Sequence, residues 1–309
     1  MINRAIIRSK VIQLVYAYHS NGHRNLNSAE KELLFSLSKA YDLYQFLLVL
    51  MIEITEQEAA VIAKGMSKRS ASHEELFPNS KFINNLFISQ LQVNKQLVEY
   101  RENQKRTWTN DSSILKTLTE QIKESNAYKQ YMSDSEQNFE GDRDFWRKIY
   151  KSLFYHNEII DDALEDMSLY WNDDKEIVDT FVFKTIKRLK QEDGANAPLL
   201  SEFSNATDRD YAIKLFHKTL INIDYYSDLI KEQVRNWDFD RIATMDIAIM
   251  QTAVAEMISF GDIPLSVSLN EYVELAKIFS TPRSAGFVNG TLDKIAQRLV
   301  DERKILKIK

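Results

Sequence analysis

Seven glycines and four prolines in 309 residues leave this chain few places to turn sharply. Glycine supplies backbone conformations that other residues resist, and proline removes a backbone donor, so both punctuate regular structure. Between these sparse stops, apolar residues recur three and four positions apart, and no segment alternates in the manner of a half-buried strand. The chain is expected to be all-α.

The spacing predicts a first helix over residues 3–19, with Ile7, Val11, Leu14, Val15 and Tyr18 on one face and Asn21-Gly22 as its stop. A long helix over 28–64 follows, closed by Gly65. Further helices are expected over 81–106, 111–132, 144–171 and 173–190, then over 204–236, 240–260, 269–279 and 284–300. Residues 66–78, 134–142 and 191–198 read as loops, the last being the best linker candidate. Ser268-Leu269-Asn270-Glu271 has the pattern of a capping box, which would start a helix at Leu269.

With 44% hydrophobic and 28% charged residues, the chain can form one or two domains with real cores and is not a disordered polymer. The absence of cysteine removes disulfides, thiolate zinc sites and cysteine nucleophiles together. No apolar leader opens the sequence. The longest apolar run, 43–54, is too short to cross about 30 Å of hydrocarbon, so a cytoplasmic protein with no membrane contact is expected.

A net charge of −5 argues against a general nucleic-acid binder, but the charge is unevenly distributed. Arg4, Arg8, Lys10 and Arg24 occur near the start with no acid among them, and Arg303, Lys304, Lys307 and Lys309 close the chain. Arg4 and Arg8 lie one helical turn apart with Lys10 on an adjacent strip. Such cations suit a phosphate chain, with Tyr16 or Tyr18 to stack an unpaired base, but on the residues alone a solvated basic face over core tyrosines is the favoured reading.

Catalytic signals are poor. His19 and His23 are separated by Asn21-Gly22, which breaks the helix that would align them on a metal. The acidic pairs Asp161-Asp162 and Glu165-Asp166 fall on the wet side of an amphipathic helix. No glycine-rich phosphate loop, nucleophile elbow or metal signature is present, and neither enzyme activity nor a cofactor is expected.

Two blocks resemble the NusB transcription antitermination family. The C-terminal block, about 209–299, carries Asp246-Ile247-Ala248-Ile249, Gly261-Asp262-Ile263-Pro264, Asn270-Glu271-Tyr272-Val273-Glu274-Leu275-Ala276-Lys277 and Phe287-Val288-Asn289-Gly290, preceded by Asn236-Trp237-Asp238-Phe239-Asp240-Arg241. The N-terminal block is looser and consists of Arg4, Arg8, Lys10, Gln13 and Tyr16. The long stretch between them exceeds what most members have there, and reads as an enlarged N-terminal bundle or an inserted subdomain. The expected organisation is a helical region over 1–200 and a NusB-like domain over 201–309.

The resemblance implies transcription antitermination on ribosomal RNA operons. The protein would bind single-stranded boxA RNA together with the ribosomal protein NusE and help recruit the elongating RNA polymerase. It implies RNA contacts at Arg4, Arg8, Lys10, Gln13, Arg283, Ser284 and Asn289, and a protein-partner face at Tyr16 and Asp246. Gly286 and Gly290, inside a predicted helix, are expected to allow close backbone approach. Alternative readings are a helical interaction scaffold and an accessory factor for ribosomal RNA modification.

Overall fold

A computed structural model describes residues 1–20, 25–234, 239–281 and 283–305. The expected stop at Asn21-Gly22, together with His23, Arg24, Asn236, Trp237, Asp238, Pro282, Lys307 and Lys309, lies outside the described residues. Among those described, all regular structure is helical, and the single extended feature is an isolated parallel bridge between Ile2 and Phe203.

The helices, in chain order, are α1 (Arg4–Ser20), α2 (Leu26–Met66), α3 (His73–Leu76), α4 (Leu86–Gln92), α5 (Lys95–Asn103), α6 (Ser112–Glu124), α7 (Asn126–Ser133) and α8 (Phe139–Ile149). A π-helical turn (Tyr150–Phe154) extends α8. Then come α9 (Glu158–Met167), α10 (Lys175–Arg188), α11 (Asp208–Ile221), α12 (Ile223–Gln233), α13 (Thr244–Ser259), α14 (Leu265–Phe279) and α15 (Ser284–Asp301).

Several expected helices are each two. The stretch 81–106 breaks where Asn94 caps α5, its side-chain oxygen accepting from the amides of Gln96 and Leu97. Ser125 starts α7 and Asn157 starts α9 in the same way, and Asn222 separates α11 from α12. At Asn94, Ser125 and Asn157 a short polar side chain satisfies the orphan amides of a new first turn, so the chain can change direction without glycine or proline, whereas Asn222 donates back to the Lys218 carbonyl at 3.0 Å. Conversely, α14 starts at Leu265 behind Pro264, so Ser268 lies inside it and the expected capping box does not form. The expected linker 191–198 contains a 3-10 turn over Gln191–Asn196, with Gly194 at φ 53.

The chain divides into two compact units: Met1 with Lys39–Glu202, and Ile2–Ser38 with Phe203–Lys309. The sequence reading cut the chain once, at 200/201. Here the main path leaves one unit after Ser38 and returns at Phe203, which makes 39–202 an insertion.

In the inserted unit the core forms around the later part of α2, where Phe46 to Ile54 is almost continuously buried, as expected of a helix enclosed on all sides. Phe46 is flanked by Trp108 and Trp171, with ring centroids 4.6 and 5.2 Å away. Both indoles donate to α2 carbonyls, Trp108 to Phe46 and Trp171 to Lys39, each at 2.9 Å. Glu53 is buried among them and accepts from the Thr109 amide at 2.9 Å; burial pushes its carboxyl above the usual range.

In the other unit α13 is central. Ala248 to Met257 is buried throughout, and α1, α11, α12, α14 and α15 pack around it. Ile2 joins through its bridge to Phe203 and its carbonyl, which accepts from the Ser204 amide at 2.8 Å.

Candidate nucleic-acid interface

The first helix is basic in sequence, but its cations have different fates. The Arg8 side chain is buried, 3% exposed, against α13 and α14. Its Nε and one terminal nitrogen form a fork on the Glu256 carboxylate at 2.8 and 3.2 Å, and its other terminal nitrogen donates to Glu271 at 3.0 Å. Glu256 also accepts from Ser268 Oγ at 2.7 Å, from Tyr272 OH at 3.4 Å and from Tyr211 OH. Burial favours the neutral form of both tyrosines and Glu256 repels their phenolate forms, so both hydroxyls stay protonated as donors. A carboxylate with this many donors is a satisfied buried anion, and Arg8 is its counterion. Lys10 is also buried, at 2% exposure.

The expected strip of three solvated cations is therefore corrected. Arg8 and Lys10 face inward, and the physical reason for Arg8 is Glu256, 248 positions away in sequence. Arg4 remains at the surface, with its guanidinium over the Tyr211 ring at 4.9 Å and near Asp262 and Asp208 at 3.4 and 3.9 Å. Asp208 is fully buried, and its Oδ1 has no hydrogen-bond partner among the described residues. Gln13 is half-buried on α1 and Tyr16 is exposed.

At the start of α15, Arg283 and Asn289 are exposed, and Arg283 carries no ion pair among the described residues. Ser284 does not point outward. It is buried, and its hydroxyl meets Ser280 Oγ and Thr281 Oγ1, both at 2.9 Å. Gly286 and Gly290 sit on the exposed side of this helix, and a Cβ built on either meets nothing within 4 Å. Among the described residues, none makes the expected close approach. The resulting surface is a smooth helical face, with Arg283 and Asn289 at hand and two glycine backbones open.

Asp246, in the first turn of α13, is 4% exposed, and one of its carboxylate oxygens has no hydrogen-bond partner among the described residues. An orphan buried acceptor of this kind is costly unless something external donates to it. Sequence reasoning missed the inward network of Glu256, Tyr211, Tyr272 and Ser268 altogether. Only the charge of Glu256, set in an otherwise apolar stretch of α13, hinted at it.

Among the described residues no group of three or more His, Asp or Glu side chains is placed to hold a metal ion. No helix among them is long and apolar enough to cross a membrane.

The model of the NusB family matches residues 179–297. The transcription antitermination protein NusB of Salinibacter ruber is 34% identical over 132 residues, which cover 41% of this chain and 82% of that protein. The protein of the same name from Bacillus pumilus is 36% identical over 120 residues, 38% of this chain and 92% of that one. That from Bacillus licheniformis is 43% identical over 86 residues, 28% of this chain and 67% of that one. A solved NusB of T. maritima aligns at a TM-score of 0.31 and 23% identity over 52% of this chain and 95% of that one, a likeness too low to bear on the fold.

These matches and the helical bundle around α13 define a protein of the transcription antitermination class. The chain belongs to the NusB family and carries an extra helical region; the compact unit 39–202 overlaps the family match from residue 179 onward. The match to the family model does not reach α1. It is packing against α11 and α13 that brings the first helix into the same unit.

Proposed function

We propose that this protein is a transcription antitermination factor that binds boxA-type RNA of ribosomal RNA operons together with NusE, and that this assembly is recruited to elongating RNA polymerase. The observation that carries the reading is family membership at 34–36% identity over most of the length of relatives named for antitermination.

The residues that suit RNA contact are those the unit leaves at its surface: Arg4 and Gln13 on α1, and Arg283 and Asn289 at the start of α15. Arg8, Lys10 and Ser284 act one step back, fixing α1 and the α15 turn from within. Tyr16 and the orphan acceptor of Asp246 form the face for NusE, where a basic partner residue would meet the unsatisfied carboxylate oxygen. RNA and NusE then raise each other's affinity if both favour one arrangement of the bundle. No bond is made or broken.

The test is quantitative binding of the full chain to boxA RNA, with and without NusE, over a salt series. Arg4→Ala and Arg283→Ala together should weaken binding and flatten the salt slope by about 1.4, since each phosphate contact on a single strand contributes about 0.7. Asp246→Lys should lower NusE affinity while leaving direct RNA affinity intact. No measurable preference of the wild-type chain for boxA over a scrambled strand would overturn the reading.

A further inference from the structure

Within the inserted unit acids outnumber bases, and most helical cations there are paired with a carboxylate. Lys39 with Asp42, Arg101 with Glu56, Lys123 with Glu58 and Arg147 with Asp144 are examples. The second half of α10 departs from this. From Phe181 to Leu189 there is no acid, and Lys184, Lys187 and Arg188 are exposed at spacings of three and four, on adjoining turns of one face. None of the three carries an ion pair among the described residues. Lys187 instead lies over the Phe183 ring at 5.7 Å.

The element beside this face is irregular. The α8 helix ends in the π turn Tyr150–Phe154, and His156, next after Tyr155, takes φ 50, a conformation that costs free energy in any residue but glycine. A buried ion pair holds this geometry. Lys175 donates to the Phe154 carbonyl at 3.1 Å and to Asp179 at 2.8 Å, and Asp179 accepts from Tyr150 OH at 2.6 Å. Tyr155 stands edge-on to Phe183 at 6.3 Å, both rings half-buried, with Lys187 over the Phe183 ring and an exposed Lys151 four residues before Tyr155. π turns recur at functional sites, and strained backbone persists only where the surroundings over-determine it.

We infer that this face, with Lys151, Tyr155, Phe183, Lys184, Lys187 and Arg188, is a second contact for single-stranded RNA, belonging to the insertion and separate from the α1 and α15 surface. Unpaired cations along a helix follow a phosphate backbone, and half-exposed aromatic rings offer faces to unstacked bases. The inference rests on the reading of the protein as an RNA binder. It adds length of RNA held outside the boxA element.

The experiment uses the full chain and two RNAs: boxA alone, and the same element within a longer unpaired strand. The variant Lys184→Gln, Lys187→Gln, Arg188→Gln changes only exposed side chains and is checked for wild-type helix content. It should bind the long strand roughly tenfold or more weakly at low salt, with a salt slope smaller by about 2, and bind boxA alone as wild type does. Ultraviolet cross-linking of the wild-type chain to a uridine-rich long strand should mark Tyr155 or Phe183. Unchanged affinity and slope for the long strand, or cross-links confined to the other unit, overturn the inference, as does cross-linking of this face to an acidic protein in place of RNA. Should the wild-type chain show no boxA preference while the triple variant still loses affinity for the long strand, the functional reading falls and this contact stands.

Discussion

Arg8 illustrates what a residue's type reveals and what it conceals. Its charge and its place on the first helix are legible in the sequence, and its resemblance to a family basic helix is too. Its burial is not, because the partner that decides it, Glu256, lies on α13 and no local pattern links the two. The consequence is energetic. Removing one member of a buried charge pair leaves the other unpaired in a low dielectric, at a cost of about 3–5 kcal/mol, whereas replacing both by apolar residues is often nearly neutral. Glu256→Ala should therefore destabilise the α1–α13 packing strongly, and Arg8→Met with Glu256→Leu should recover much of the loss. Hydrogen exchange of α1 and α13 amides reads both, and a double variant as unstable as the single would show that the rest of the Glu256 network, not the pair, holds the helix. The glycines of α15 invert this logic. No described residue fills the space before Gly286 and Gly290, so Ala at both should stabilise the helix by roughly 1 kcal/mol each. If that face meets RNA or NusE, the same change lowers affinity, which a melting curve beside a binding titration separates.

At the scale of elements, helical content was legible almost throughout, and the boundaries were not. Periodicity three and four carries on through Asn94, Ser125 and Asn157, because the apolar side chains on both sides of each break still face one core. The turning is done by a capping side chain, whose signature of one polar residue is common enough in helices to pass unnoticed. Asn157 does most: its oxygen accepts from the amides of Ile159 and Ile160, and its amide donates to the Leu153 carbonyl at 2.7 Å and to Gln121 at 3.1 Å. It thus closes the π turn and opens α9 together. Asn157→Ala should cost about 1–2 kcal/mol, since half-buried groups on both sides lose partners. Denaturant titration checks the loss; a change of a few tenths would mean that the π turn is held by Lys175 alone.

For the molecule as a whole, family text at the two ends made the C-terminal bundle legible and left the middle unread. The division after Ser38 could not be seen because α2 runs without interruption from one unit into the other, and its apolar pattern does not change at the boundary. Each unit, however, buries tyrosines, and these set a common limit on stability. Burial pushes Tyr44 in the insertion up to about 12, and Tyr226 in the other unit likewise up to about 12. Both start from an ordinary value near 10. A phenol whose folded-state pKa is raised keeps its proton in the folded state while the unfolded chain gives it up. The unfolded state then binds fewer protons, so stability is fully present below pH 10 and is lost as pH rises from about 10 to 12. Each group contributes on the order of 2 kcal/mol to that loss, a large share of a domain's marginal stability. Both units should therefore unfold over the same alkaline range. Tyr44→Phe should lose the bonds to Thr185 Oγ1 and the Leu200 amide, at 2.6 and 3.2 Å, and so be weaker at pH 8 but less sensitive between pH 10 and 12. Hydrogen exchange followed across pH 9 to 12 resolves the two units, and an insertion whose protection fell as steeply in Tyr44→Phe as in wild type would place its alkaline weakness elsewhere.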